Sequence, residues 1–277
     1  MTDAPEPEVD ESFAVLLDAP HLAVVAKSGN IPCHASGRYV RNTLERVLLE
    51  KAGFPAVFFA SRLDRETSGA VVVAKDAATA GALGRAMMRR EISKAYLCIA
   101  RGRWTEKPGP DGWCDAAGDL HPASDRDVHR FRVCVRDGAA PPAEPGLSLG
   151  RPQRAATRLR PVPWESLGAD PAAPEFAGLV ALECVPLTGR THQIRATVRA
   201  LGLEVEGDKL YGPDRSIYAR MCEGRMTAED AAALGMRRQA LHSWRVALRD
   251  PATGARIEAS APPDAMLAEL LAARRGS

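Results

Sequence analysis

The sequence predicts an α+β fold, a mixed, mostly antiparallel sheet with flanking helices. Short β-prone runs recur along the chain, and segments of helical spacing fall between them at irregular intervals. No internal repeat and no strict strand–helix alternation orders them, which argues against a doubly wound fold. At 277 residues the chain is long for one domain and short for two, so a single large unit with loop insertions is expected.

The elements can be read in order. Residues 1–12, rich in Pro, Asp and Glu, read as a disordered acidic tail. Residues 13–277 read as one folded domain. Phe13 to Leu17 and Leu22 to Ala26 are two β-prone runs split by Asp18 to Pro20, a candidate hairpin. Val40, Leu44, Val47 and Leu48 share one helical face. Ala56 to Ala60 and Ala70 to Ala74 read as buried strands with a polar break between them, and Asp76 as the cap of a helix over 77–90. Strands are expected at 94–100, 128–135, 179–185, 240–248 and 255–260. Helices are expected from about 191 to 201, near 227–234 and from Asp264 onward. The Gly/Pro-rich stretches at about 102–122 and 137–178 read as surface insertions.

Composition narrows the function classes. Hydrophobic residues at 45% and charged residues at 26% exclude wholesale disorder, a fibrous repeat and a coiled coil. No run approaches the ~20 apolar residues of a membrane helix. The first twenty residues carry six acids and no base, the opposite of an export signal. Without them the net charge of +2 becomes +8, from 37 basic and 29 acidic side chains. Residues 81–110 hold seven Lys or Arg against two Glu, so a phosphate-bearing partner is plausible beside a plain solvated basic face. The six cysteines form no Cys-x-x-Cys pair and have no His at ligand spacing. No metal site is expected, and reduced, packed thiols imply a cytoplasmic protein.

Three segments could carry chemistry. Ser61-Arg62-Leu63-Asp64-Arg65-Glu66-Thr67-Ser68-Gly69 sets a polar loop between two apolar strands, where catalytic groups are often held. A hairpin tip with solvated ion pairs is the plainer reading. Leu187-Thr188-Gly189-Arg190-Thr191-His192-Gln193-Ile194-Arg195 starts a helix on which Thr191, Arg195 and Arg199 share a face. That face suits RNA phosphates, an internal carboxylate or simply water. Tyr96, in Lys94-Ala95-Tyr96, reads by itself as a packed aromatic.

Taken together, these segments resemble the RluA-type RNA pseudouridine synthase family. Arg62-Leu63-Asp64 with Thr67-Ser68-Gly69, Lys94-x-Tyr96, Thr188 to Arg195, Gly207-Asp208-Lys209-Leu210-Tyr211-Gly212 and Leu241-His242 occur in the family's order, from about Phe13 to Pro263. The resemblance implies a pseudouridine-synthase-like fold and an isomerase that turns uridines of structured RNA, rRNA or tRNA, into pseudouridine. It implies Asp64 as the essential aspartate, Tyr96 as the active-site tyrosine and Arg195 as the arginine that pairs with the aspartate. Arg62, Thr67, Arg190, His192 and Gln193 fall on substrate-binding positions. The isomerisation involves no redox step and no external group, so no cofactor is expected, and the expected partner is an RNA stem-loop bound by a monomer. This chain has Ser61 where the family usually has His, and Lys27-Ser28 where it usually has Lys-Pro.

Two other readings compete. A non-catalytic RNA-binding or RNA-folding protein would not need Asp64, Tyr96 and Arg195 together. A nucleoside or glycoside hydrolase would want a second carboxylate, for which Glu66 is the near candidate.

Overall fold

A computed structural model describes residues 5–125 and 131–275. Residues 1–4 of the expected tail, and the start of the strand expected at 128–135, lie outside them. In chain order the first elements are β1 (Phe13–Asp18), β2 (Leu22–Lys27), α1 (Leu44–Glu50), β3 (Phe58–Phe59), β4 (Ser68–Ala74), α2 (Ala77–Met88) and β5 (Ser93–Arg101). Then come β6 (Cys114–Ser124), β7 (Phe131–Arg136), β8 (Ser148–Leu149), β9 (Gln153–Pro161), β10 (Leu179–Pro186), α3 (Gln193–Ala200) and β11 (Glu204–Val205). The last are α4 (Ser216–Cys222), α5 (Ala228–Leu234), β12 (Leu241–Arg249), β13 (Arg256–Ser260) and α6 (Asp264–Arg275). The class is α+β, with a mixed and mostly antiparallel pattern of strand pairing.

The chain forms two compact units. One takes the residues up to Ala95 together with His242–Met266, the other Tyr96–Leu241 together with the residues from Leu267. In the first, β4 pairs antiparallel with β2, from Leu22 opposite Ala74 to Lys27 opposite Gly69. β1 extends this sheet beyond β2, and β3 adds two pairs to β4. β12 joins β4 in parallel at His242 opposite Ser68, and β13 pairs with β12. All seven residues of β4 are buried, as its Val-rich run predicts for a strand covered on both faces. Leu83 of α2 packs into a core with Leu22, Val24, Val72, Val246 and Leu248. That helix starts where expected, with the Asp76 carboxylate accepting the Thr79 amide at 2.7 Å.

In the second unit the strand order is β5-β10-β9-β6-β7, with β11 on β5 and β8 on β6. Ala196 of α3 packs with Leu120, Phe131, Ala155, Leu210 and Tyr211.

Two expectations need correction. The stretches at 102–122 and 137–178 are not simply loop insertions, because they supply β6, β8 and β9, and β6 and β9 are long strands of the second unit's sheet. The alternation was present but faint. In β9 the side chains of Ala155, Thr157 and Leu159 turn inward between Arg154, Arg158 and Arg160, while in β6 the inward positions fall on Cys114, Ala116, Gly118 and Leu120. Small residues and flanking Gly and Pro hide a period of two. The acidic tail is also not disordered over 5–12, since Glu6 and Asp10 hydrogen-bond to the body of the first unit. The charges of Glu6 and Glu11 are met by partners there, which composition does not reveal.

At Gly69 two strands approach closely. This residue has φ +105°, and a Cβ added there would lie 2.2 Å from the carbonyl oxygen of Ser243. Glycine is required by both conformation and space. The Ser243 hydroxyl donates to the Ala70 carbonyl at 2.9 Å and fixes the same junction. Gly69→Ala should therefore destabilise the protein by at least about 2 kcal/mol, read as a lower urea midpoint with an unchanged slope.

Candidate active site

The first unit presents the loop between β3 and β4. Its ends are set by paired strands, and its interior is tied to the chain around residues 27–39. The Lys27 ammonium, itself buried, donates to the carbonyls of Ser28, Ile31 and Arg65 at 2.8, 2.7 and 2.9 Å. Arg65 donates to Asn30 Oδ1 and Tyr39 Oη, both at 3.0 Å, and pairs with Glu66 at 2.8 Å. The Cys33 thiol lies between the amide and carbonyl of Leu63 at 3.5 and 3.7 Å, and burial pushes its pKa up. Asp64 stands half-buried between Leu63 and Arg65, its carbonyl accepting the Thr67 amide at 3.1 Å.

The remaining polar groups hold the loop's two ends. Arg62 is exposed and meets His34 Nε2 at 2.6 Å, whereas Thr67 is buried. Lys94 reaches Ser61 Oγ at 3.2 Å, and desolvation pushes that ammonium's pKa down. Ser68 Oγ meets His242 Nδ1 at 2.8 Å, and His242 Nε2 meets the Ala261 carbonyl at 2.9 Å. A carbonyl only accepts, so Nε2 carries a proton. Arg62, Asp64 and Thr67 thus share one braced loop.

The second unit gathers Arg190, His192, Gln193 and Arg195. Gln193 is buried, and its amide is bound on all sides. Its oxygen accepts from Thr188 Oγ1 at 2.7 Å and the Arg190 amide at 3.0 Å, and its nitrogen donates to Ala156 O at 2.9 Å and Thr157 Oγ1 at 3.0 Å. The side chain expected to meet substrate spends its hydrogen bonds on holding this loop to β9. His192 enters α3 with φ 57°, a left-handed conformation uncommon outside glycine. Arg190 is exposed and lines a shallow hollow with Arg151, Gln153, Pro122 and Pro152, a place suited to an anion. Tyr96 is buried on β5, opposite Cys184 of β10.

Arg195 is 8% exposed and sits on a carboxylate to which sequence reading assigned no role. Its Nε and Nη2 donate to Asp208 Oδ2 and Oδ1 at 2.6 and 2.8 Å. Oδ1 also accepts the amides of Leu210 and Tyr211 at 2.9 and 3.0 Å. Burial pushes the Asp208 pKa up, but the Arg195 charge and these donors outweigh it, leaving the carboxyl below its usual range. The Tyr211 ring lies 4.9 Å beneath the guanidinium carbon, and its hydroxyl meets His192 Nδ1 at 3.0 Å and the Arg132 amide at 2.9 Å. Gly207 leaves no room for a side chain, since a Cβ would lie 2.0 Å from the Arg238 carbonyl oxygen. The Gly207 to Gly212 segment is therefore the cradle of the arginine and histidine before it. The Asp208 signal lay in that motif, but spacing did not say which cation it served. Arg199, expected on the same face as Arg195, is exposed and pairs with Glu204.

The sequence pattern of the RNA pseudouridylate synthase family matches residues 21–200, which include the Asp64 loop, Tyr96 and Arg195. The chain belongs to the RNA pseudouridylate synthase family. It is 30% identical over 268 residues to ribosomal large subunit pseudouridine synthase D of Nitrosomonas europaea, covering 94% of this chain and 65% of that protein. The namesake from Xanthomonas campestris is 31% identical over 270 residues, covering 96% and 70%. This chain thus spans about two thirds of the length of these relatives. Human RNA pseudouridylate synthase domain containing 1 has the same fold, with a TM-score of 0.61 at 24% identity over 99% of this chain and 98% of that one. Among the described residues no three His, Cys, Asp or Glu side chains gather as a metal-ligand set, and no helix is long and apolar enough to cross a membrane.

For this family member the Asp208 carboxylate provides a direct test. Asp208→Asn leaves a buried guanidinium without its counter-charge and should cost about 3–5 kcal/mol. A depressed carboxyl pKa contributes stability above the unfolded value and loses it as pH falls through the folded one. Urea titrations of the parent should therefore show an acid loss of stability below about pH 4 that is shallower in Asp208→Asn.

Proposed function

We propose that the protein isomerises uridine to pseudouridine in structured RNA, through Asp64. The observation that carries this is the family match over residues 21–200, which spans Asp64, Tyr96 and Arg195. Relatives named for the ribosomal large subunit align with nearly the whole chain, which favours large-subunit ribosomal RNA as the substrate class. The reading includes a cytoplasmic place of action, where such RNA is matured.

The reaction needs no external group. The bond between uracil N1 and ribose C1′ breaks, the base turns, and C5 joins C1′. The proton leaves C5 and N1 ends protonated, so product and substrate are isomers. An ionised Asp64 serves either route to glycosidic cleavage, attack at C1′ or removal of the neighbouring ribose proton. The resemblance gives Tyr96 the role of stacking on the uracil, with its hydroxyl assisting departure of the C5 proton. Double-stranded RNA hides its base edges and exposed loops do not, and a base must leave its stack to reach a half-buried carboxylate.

Tritium release from RNA labelled at uracil C5 tests the reading. Asp64→Asn keeps size and hydrogen bonding, so release should drop by at least about a thousandfold while urea stability holds. Turnover by the purified variant would refute the role of Asp64. A parent that binds RNA and releases no tritium would instead be a binding protein.

Arg195→Lys keeps the charge and loses the planar fork. If Arg195 serves the chemistry, the single-turnover rate should fall at least about tenfold with RNA affinity near the parent's. Preserved rate with weakened, more salt-sensitive binding would make it a phosphate contact.

A further inference from the structure

The acidic arm supplies an observation the reaction does not use. Both Glu6 carboxylate oxygens point into a turn ahead of α1. Oε2 accepts the amides of Val40, Arg41 and Asn42 at 3.0, 2.8 and 2.9 Å, and Oε1 accepts that of Arg41 at 3.0 Å. These donors are not helix amides, because α1 begins at Leu44 and is capped by the Thr43 side chain. Three successive N–H groups converging on one oxygen make an anion nest. The carboxyl pKa is lowered, first by the Asn42 amide, so Glu6 is ionised at neutral pH. Exposed Arg38 and Arg41 flank the nest.

The arm is fastened at few other points. Asn42 Nδ2 donates to Pro7 O at 2.9 Å, Asp10 N donates to Asn30 O at 3.1 Å, Ser28 hydrogen-bonds the Asp10 carbonyl, and Lys51 pairs with Glu11. No hydrophobic side chain of residues 5–12 is fully buried, so what holds the arm is polar and displaceable. The segment beneath it also braces the Asp64 loop. Arg65 bonds both Asn30, whose carbonyl takes the arm, and Tyr39, which immediately precedes the nest.

We infer that the amides of Val40, Arg41 and Asn42 form a phosphate-binding site for the RNA backbone, and that Glu6 occupies it as an intramolecular competitor until RNA displaces the arm. This rests on RNA being the substrate. A phosphate presents the same closely spaced anionic oxygens as a carboxylate. A polyanion arriving on this face meets four acids of the arm, Glu6, Glu8, Asp10 and Glu11, and must exchange with them. The arm thereby lowers affinity for any RNA that cannot supply a phosphate at the nest, which makes it a selectivity device.

Glu6→Ala in the full chain tests this, because it empties the nest without touching the reacting loop. If the arm is docked about nine-tenths of the time, apparent RNA affinity should rise roughly tenfold. In proton–nitrogen spectra, inorganic phosphate should produce saturable shifts at the amides of Val40, Arg41 and Asn42 in Glu6→Ala, and far weaker ones in the parent. Unchanged or weakened RNA binding by Glu6→Ala would overturn the inference and leave Glu6 as a brace of the turn. So would amides that do not answer to phosphate. The phosphate titration needs no uridine, so its failure is distinguishable from a lack of tritium release.

Discussion

A guanidinium with 8% of its surface exposed has lost most of its hydration and must recover it from the protein. Arg195 recovers it from Asp208, through a two-point pair whose carboxylate is itself fixed by two backbone amides. The geometry of the second unit's site follows from that requirement. Meeting Asp208 sets the rotamer of Arg195, the turn that delivers Asp208 needs Gly207 against the Arg238 carbonyl, and the same turn carries Tyr211 under the guanidinium and against His192. Two distant sequence motifs are thus one physical object. Removing either charge strands the other in a medium that cannot solvate it.

The first unit solves a different problem with similar means. The loop that carries Asp64 is polar, and cations tie it to the chain around it. Lys27 supplies one buried ammonium against three carbonyls, and Arg65 spans Asn30, Tyr39 and Glu66. Each converts the flexibility of a loop into the rigidity of the strands beside it, which is what preorganised catalysis requires.

Charge is distributed to suit an anionic partner. The acids concentrated in the first twenty residues mask a basic body, and one of them sits in a nest of backbone amides. Many other surface carboxylates are paired with arginine, as Asp137 is with Arg154 and Glu204 with Arg199. Net charge alone conceals how much of the basic surface is already neutralised.

The sequence by itself determined the α+β class, the capped helix after Asp76, the buried strand at Ala70 to Ala74 and the motifs around Asp64 and Arg195. Each is written in local terms, by periodicity, by a capping side chain or by a run of residues with a shared chemistry. What it left hidden was non-local. β6 and β9 are strands because their small and polar residues find partners in neighbouring strands. The arm is ordered because Glu6 finds three amides more than thirty residues away. Asp208 belongs to Arg195 because a turn carries it there. Spacing along the chain names the groups able to pair, but a charge or a strand edge accepts any suitable partner, and only the tertiary structure decides which one comes within reach.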